Sequence, residues 1–210
     1  MKKALIVVDL QKDFCVGGSL AVAETGEIYV NQVSDLIESD DYEEVALTQD
    51  WHPANHGSFA ETHGAEVYSM GELGGQPQVM WPTHCVQDTD GAEFADNLSF
   101  EGKHGPVTVF YKGMDPDVDS YSGFYDNNKS NSSGLSEFLI ENEITDVDVC
   151  GLATDYCVKF TALDAAAIEN LNVTVLWGAS RGVFMNDGDR QQTLADLEAA
   201  GVLVVGYDQA

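Results

Sequence analysis

Val147-Asp148-Val149-Cys150-Gly151-Leu152-Ala153-Thr154-Asp155-Tyr156-Cys157 is the stretch on which the reading of the fold turns. Val147, Val149 and Cys150 mark a strand over 147–150 that ends at Gly151. From about 155 to 169 the apolar spacing becomes helical. Phe160, Leu163, Ala167 and Leu171 mark the expected inner stripe, and Thr154 is the expected N-cap. The same alternation runs outward in both directions. Upstream, strands are predicted at 4–8, 45–48 and 107–111, with helices over 27–37 and 133–142. Downstream, strands at 173–177 and 202–205 flank a helix near 190–200. Strands alternating with helices predict an α/β fold. It is a doubly wound, mostly parallel six-stranded sheet with helices on both faces. Such sheets bind ligands at the carboxyl ends of their strands. Those ends carry Asp9, Asp50, Lys112 and the turn 151–157.

A length of 210 residues suits one such domain and is short for two. With 44% hydrophobic residues the chain belongs among folded proteins. No apolar run approaches the roughly 18 residues of a bilayer span. The opening Met1-Lys2-Lys3-Ala4-Leu5-Ile6-Val7-Val8-Asp9 stops being apolar at Asp9, and no small-residue cleavage site follows. It reads as a first strand rather than a secretory signal, and a cytoplasmic location is expected. Nine Lys+Arg against 36 Asp+Glu give a formal charge of -27, which repels nucleic acid and anionic membranes. That excess suits a high-salt environment, where screening relieves self-repulsion; a melting temperature unmoved by added salt would count against it. The four cysteines, Cys15, Cys85, Cys150 and Cys157, form no C-x-x-C pair. Neither a zinc ribbon nor a thioredoxin motif is present, and free thiols are expected.

A lone cysteine is most often a small buried hydrophobe. Cys157 differs in lying in the first turn of a predicted helix, where the N-terminus favours a thiolate and backbone N–H groups can hold an oxyanion. Asp9 and Lys112, at other strand ends, supply a carboxylate to carry a proton and an ammonium to hold charge in place. Cys150 sits within a strand and is expected to be inert, and Cys15 and Cys85 have no visible activator. A second constellation begins with Asp50-Trp51-His52, whose ligands, two apart, face the same way in extended chain. His84 adds a third ligand, with His56 nearby. A carboxylate with two imidazoles suits one divalent ion, Zn²⁺ ahead of Fe²⁺ or Mn²⁺, and leaves positions open to water or substrate. His63 and His104 are assigned to surface or structural roles. Asp115, Asp117 and Asp119 copy the first spacings of a calcium loop. Ser120 stands where that loop needs glycine and Asp126 where it needs glutamate, so calcium is not expected there. The stretch 51–100 is long for a connection, which with its histidines marks it as a metal-binding loop region.

Five segments in order resemble nicotinamidases of the isochorismatase-like hydrolase superfamily. They are Ile6-Val7-Val8-Asp9-Leu10-Gln11-Lys12-Asp13-Phe14 with Gly17-Gly18-Ser19-Leu20, then Asp50-Trp51-His52-Pro53-Ala54-Asn55-His56-Gly57-Ser58-Phe59-Ala60, and Trp81-Pro82-Thr83-His84-Cys85-Val86. Lys112-Gly113 with Asp119-Ser120-Tyr121-Ser122-Gly123-Phe124, and Gly151-Leu152-Ala153-Thr154-Asp155-Tyr156-Cys157-Val158, complete the set. The resemblance covers 1–210 as a single domain. It implies hydrolysis of nicotinamide to nicotinic acid and ammonia through a cysteine thioester, in NAD salvage, with pyrazinamide a candidate second substrate. It also implies Asp9 as base and later acid, Lys112 as the group that orients and polarises the pair, and Cys157 as nucleophile. Amides of Ala153 and Cys157 would form the oxyanion hole, with a cis peptide before Ala153. Phe14, Leu20, Trp81 and Tyr121 would wall the ring. A metal on Asp50, His52 and His84 would meet the pyridine nitrogen, and family members differ over a fourth ligand at the position of His56. Two other readings stay open: an amidase of the same superfamily acting on a carbamoyl or ureido substrate, which would lack the metal trio, and a non-catalytic metal-binding module. The oligomeric state, a homo-oligomer included, is not read from these motifs.

Overall fold

Ala4, Leu5, Ile6, Val7 and Val8 are all buried, and that unbroken apolar run is what a strand covered on both faces requires. The structure is a computed structural model that describes residues 2–207; Met1 and residues 208–210 of the expected domain lie outside the described residues. Its elements in chain order are β1 (Lys3–Val8), α1 (Glu27–Ile37), β2 (Glu44–Asp50), α2 (Ala60–His63), β3 (Met70–Leu73) and β4 (Gln76–Val79). There follow β5 (Glu101–Gly102), β6 (Gly105–Pro106), β7 (Thr108–Lys112), α3 (Leu135–Glu141) and β8 (Asp146–Leu152). The chain then runs through α4 (Lys159–Ala166), β9 (Asn172–Arg181), α5 (Asp189–Ala199) and β10 (Leu203–Val205).

The central sheet has six strands in the order β10-β9-β8-β1-β2-β7, and every pairing in it is parallel. Alternate residues of each strand serve opposite cores. Leu5, Val7, Val45 and Leu47 pack with Tyr29, Val30, Val33 and Ile37 of α1. Ile6, Val8, Ala46 and Val149 pack with Leu135 and Leu139 of α3, Ala162 and Ala165 of α4, and Leu197 of α5. The expected doubly wound sheet with helices on both faces is therefore the observed one. Among the described residues no helix is long and apolar enough to cross a membrane.

The helix expected over 155–169 is corrected in three ways. Residues 154–158 form a single π-helical turn, and the α-helix proper is α4. Thr154 makes no capping bond; Ala153 occupies the cap position, and its carbonyl accepts from the N–H groups of Tyr156 and Val158. The inner face is Val158, Thr161, Ala162 and Ala165, while Phe160, expected inside, is 37% exposed. The π turn is the cause, because its extra residue shifts the phase of everything downstream. The 51–100 stretch also carries more structure than its composition suggested. It holds α2 and an antiparallel β3–β4 hairpin, whose turn at Gly74-Gly75 was a legible hairpin signal.

Two glycines are required by the site. Gly151 has φ +115°, and a Cβ there would meet the Val8 carbonyl at 2.2 Å where β8 lies against β1. Gly113 has φ +68°, and a Cβ there would meet His52 Cε1 at 2.4 Å. Only glycine lets the chain after β7 pass so close to that ring.

Candidate active site and metal centre

Asp50 and Lys112 are the last residues of β2 and β7, and the strand register sets them directly side by side. Asp9 follows the last residue of the adjacent β1, with φ +48°, a left-handed conformation that aspartate tolerates. Gly151 pairs with Val8 at the end of β8, and the π turn then brings Cys157 back over the strand ends. Four separate segments thus deliver four side chains to one point.

Lys112 is the hub. Its Nζ lies 2.9 Å from Asp9 Oδ2, 2.6 Å from Asp50 Oδ1, 2.8 Å from the Ser120 carbonyl and 3.6 Å from Cys157 Sγ. Its side chain is 2% exposed. Burial works against the ammonium, but Asp50, Asp9 and Cys157 outweigh it, and the pKa is held well above the usual lysine value. The cost of a buried cation is met because three acceptors surround it. Asp9 Oδ1 accepts a 2.6 Å hydrogen bond from Thr48 Oγ1. Asp9 Oδ2 faces Lys112 by charge, with no aligned hydrogen bond among the described residues, and is the oxygen left to accept a proton. Burial raises the Asp9 pKa even against Lys112, and Asp50 adds to the rise.

The pull of the helix N-terminus toward a thiolate is outweighed. Burial pushes the Cys157 thiol well above the ordinary cysteine value; Lys112 opposes this, but Asp9 and Asp50 reinforce it. The helix N-terminus does not decide the matter where three charged neighbours stand closer. Cys157 is therefore a thiol beside a carboxylate whose own pKa is raised, so the acceptor is a stronger base than an ordinary aspartate. All four cysteines are free. Cys150, buried in β8, is pushed up to about 12 and Cys15 to about 11, both chiefly by burial, and neither meets an activating cation.

Asp50 joins this cluster to a second one. Its Oδ2 lies 3.4 Å from His52 Nε2 and 3.8 Å from His84 Nε2, and the three ligand atoms converge within 4.8 Å. His52 Nδ1 lies 2.8 Å from the Gly113 carbonyl and His84 Nδ1 2.7 Å from the Pro82 carbonyl. Each carbonyl fixes the tautomer that leaves Nε2 with its lone pair. Burial, then the neighbouring His52, brings the pKa of His84 to about 4 and that of His56 to about 4, so both are neutral at pH 7. Burial alone would raise Asp50, yet Lys112, His52 and His84 hold it well below the usual carboxylate range. Burial works against a charged His52, but Asp50 outweighs it and raises its pKa; a carboxylate with imidazoles that yield any Nε2 proton to a cation is the donor set of a divalent metal. His56 belongs to a second group, with His52 and Asp119, rather than to the trio itself. Its Nε2 is buried with no hydrogen-bond partner among the described residues, a cost that a nearby cation or its bound water would relieve.

A narrow cleft leads to both clusters. Phe14, Leu20, Trp81 and Tyr121 line it, as do Ala153, Cys157, Asp50 and His84. Asp9 and Lys112 stand behind the sulfur. The structure adds wall residues that sequence reasoning did not name: Val22, Tyr156, Val183 and Asp119. Tyr156 adjoins Cys157 and Val22 lies two residues after Leu20, so both were within reach of the motifs; Val183 carries no sequence signal. Gln11 was also missed. Its carboxamide donates to the Asp50 carbonyl at 2.7 Å and accepts from the Asp50 N–H at 2.8 Å, clamping the backbone of the shared carboxylate. The Leu152–Ala153 peptide is cis. Of the aspartates that copy a calcium loop, Asp119 turns to the histidines and Asp115 accepts from the Asp117 N–H. Asp126 accepts from the N–H groups of Asn128, Ser130 and Asn131. His63 meets the Gly57 carbonyl and His104 is exposed near Glu43, both away from the cleft.

The isochorismatase domain matches residues 3–208. The chain belongs to the isochorismatase family. This isochorismatase-family chain is 46% identical over 201 residues to a nicotinamidase of Escherichia coli (strain K12), covering 95% of this chain and 92% of that one. Its fold superposes on the yeast nicotinamidase bound to the inhibitor nicotinaldehyde with a TM-score of 0.88, at 31% identity over 98% of this chain and 100% of that one. It also matches the pyrazinamidase of Pyrococcus horikoshii in complex with zinc, with a TM-score of 0.76 and 34% identity over 99% of this chain and 100% of that one. The sheet, the cleft and the Asp50-His52-His84 cluster of this isochorismatase-family chain thus sit on a scaffold shared with amide hydrolases.

Proposed function

We infer that the chain is a nicotinamidase, hydrolysing the linear carboxamide C–N bond of nicotinamide to give nicotinic acid and ammonia, a step of NAD salvage. One observation carries the reading. A single buried ammonium touches the sulfur of Cys157, a carboxylate placed to take its proton, and a carboxylate that also faces two histidines. The relatives, named for nicotinamide or pyrazinamide hydrolysis, support the same reading. A non-catalytic metal module leaves the Cys157–Asp9–Lys112 cluster without a role. A carbamoyl amidase leaves the trio without one.

The chemistry follows from the proton accounts. Asp9 Oδ2 takes the Cys157 proton as the sulfur attacks the carboxamide carbon. The carbonyl electrons move to oxygen, and the backbone N–H groups of Ala153 and Cys157 receive that oxyanion; one such donor is commonly worth about 3–4 kcal/mol. The C–N bond breaks as Asp9 returns the proton to nitrogen, and ammonia leaves a thioester. A water gives its proton to Asp9 and attacks the thioester carbonyl. Nicotinic acid departs and the thiol is restored. Lys112 keeps its charge throughout and holds Asp9 facing the sulfur. Asp50, His52 and His84 would hold one divalent ion, zinc by donor set and by the zinc-bound relative, with His56 and Asp119 beside it. When bound, that ion offers a Lewis-acid site for the pyridine nitrogen and so orients the ring. Phe14, Leu20, Trp81 and Tyr121 give the flat ring its apolar walls. Pyrazinamide, with a ring nitrogen in the same relation to its carboxamide, fits the same walls. The partner is this small molecule, and a charge of -27 disfavours nucleic acid and anionic membranes. A cytoplasmic location fits this role.

Ammonia release from a panel of small amides, with metal content measured on the same sample, tests the reading. Chelation is expected to lower kcat/KM for nicotinamide, mainly through KM, and to leave benzamide, which lacks the ring nitrogen, almost unaffected. Equal loss on both amides would remove the orienting role of the ion. Better turnover of a carbamoyl substrate than of nicotinamide would favour the rival amidase.

A further inference from the structure

Gln78 is the inward-facing residue of β4, a strand that pairs only with β3 and has no place in the central sheet. It is 2% exposed, while its neighbours Gln76 and Pro77 are exposed. A hairpin needing only an anchor would bury an apolar side chain there, because a buried carboxamide costs free energy unless it is bonded. The Gln78 nitrogen is bonded with direction. One N–H is directed at Asp119 Oδ2, 2.8 Å away, and the other is shared between Tyr121 Oη at 3.1 Å and the Val79 carbonyl at 2.9 Å. Tyr121 Oη also accepts from Trp81 Nε1 at 3.2 Å. One nitrogen therefore ties two aromatic walls of the cleft to the acid that faces His52 and His56.

We propose that Gln78 is a positioning residue for ring recognition, holding Tyr121 and Asp119 in fixed register so that the apolar wall and the histidine cluster present one binding surface. The assignment rests on the nicotinamide reading of the cleft. Gln78 touches neither Cys157 nor Lys112, so it acts on where the ring sits and leaves the proton transfers alone. Losing a bond to a charged acceptor together with one to a hydroxyl predicts a rise in KM of about tenfold, with kcat within about twofold.

The test uses the zinc-loaded full chain and Gln78→Leu, with Gln78→Met, which keeps the unbranched stem, should the first not fold. Expected are the KM rise at steady kcat and a loss that is not additive with Tyr121→Phe, because both substitutions break the same link. Faster loss of zinc to a competing chelator is also expected, since Asp119 is freed. An unchanged KM overturns the proposal. So does an equal fall in kcat and kcat/KM with a lowered melting temperature, which is the signature of a merely structural residue. If the parent chain releases no ammonia from nicotinamide, the functional reading fails by itself. The positioning claim is then judged on zinc loss, and parent-like retention in the variant overturns it.

Discussion

Cys157→Ala removes ammonia release from nicotinamide by at least about 10⁴-fold, since the covalent route has no second nucleophile. The other thiols cannot substitute. Cys150 faces the core under α1, Cys85 is buried with its pKa pushed well above the usual value, and Cys15 lines a separate pocket with Asp13 and Thr25. The fold is expected to survive, because the change removes one sulfur from a wall 8% exposed. A melting curve near that of the parent, together with parent-like zinc content, separates loss of chemistry from loss of structure. Asp9→Asn is the companion, with a loss of about 10²–10⁴-fold expected for a proton-transfer group. The parent also carries a pH signature. Asp9 must be ionised to take the thiol proton, and burial raises its pKa. The acid limb of kcat/KM therefore falls at a higher pH than an ordinary aspartate would set. Retention of a tenth of the parent rate by Cys157→Ala would end the covalent assignment.

Lys112→Met carries the second large effect, and this one is on stability as well as activity. The substitution keeps length and apolar stem but leaves Asp9 buried without a counter-ion and Asp50 with only His52 and His84 beside it. Stranding a buried charge costs about 3–5 kcal/mol, and here Asp9 is the carboxylate stranded. The deficit depends on pH with a definite sign. In the parent, Lys112 and the histidines depress Asp50, so its contribution to stability is present above the ordinary aspartate pKa and is lost as pH falls through the depressed value. In Lys112→Met, Asp9 loses its cation and is raised further by burial and by Asp50, while Asp50 keeps only His52 and His84 to hold it down. Neutral Asp9 is tolerated at low pH, and stability is lost as pH rises through its raised value. Metal-free Lys112→Met is accordingly expected to be closest to the parent at acid pH and furthest from it near pH 7–8. A deficit constant with pH would show that packing, not charge, is what Lys112 supplies. With only nine Lys+Arg in the chain, the placing of one of them inside is itself a sign of its role. The remaining lysines and Arg181 pair with surface or half-buried acids, except that Lys3 reaches the buried Asp148.

Much of this was legible in the chain itself. The parallel sheet was readable because strands buried on both faces must be apolar without interruption, as 4–8 is, and helices between them must show a one-sided stripe, as α1 does. Strand-end positions of Asp9, Asp50 and Lys112 followed directly. What misled was the nucleophile helix. A π turn has no sequence signature in apolar spacing, so the inner face was read one to two residues out of phase, and Phe160 was placed inside. Gln11, Thr48 and Gln78 were missed for a common reason: each is a polar residue of ordinary type whose role depends on a partner 39 to 43 residues away in the chain.

The amino-acid sequence by itself determined the α/β layering, the strand ends that carry charge, and the residue types able to hold a proton, a metal and a ring. Those are local properties, set by hydrophobic period and side-chain chemistry. Only the tertiary structure decided that one ammonium serves both carboxylates, that Asp50 bridges the two clusters, and that Cys157 rests as a thiol. These depend on strand register and on burial, which bring distant charges within about 3 Å and strip water from between them, the condition under which Coulomb forces outweigh intrinsic acidity.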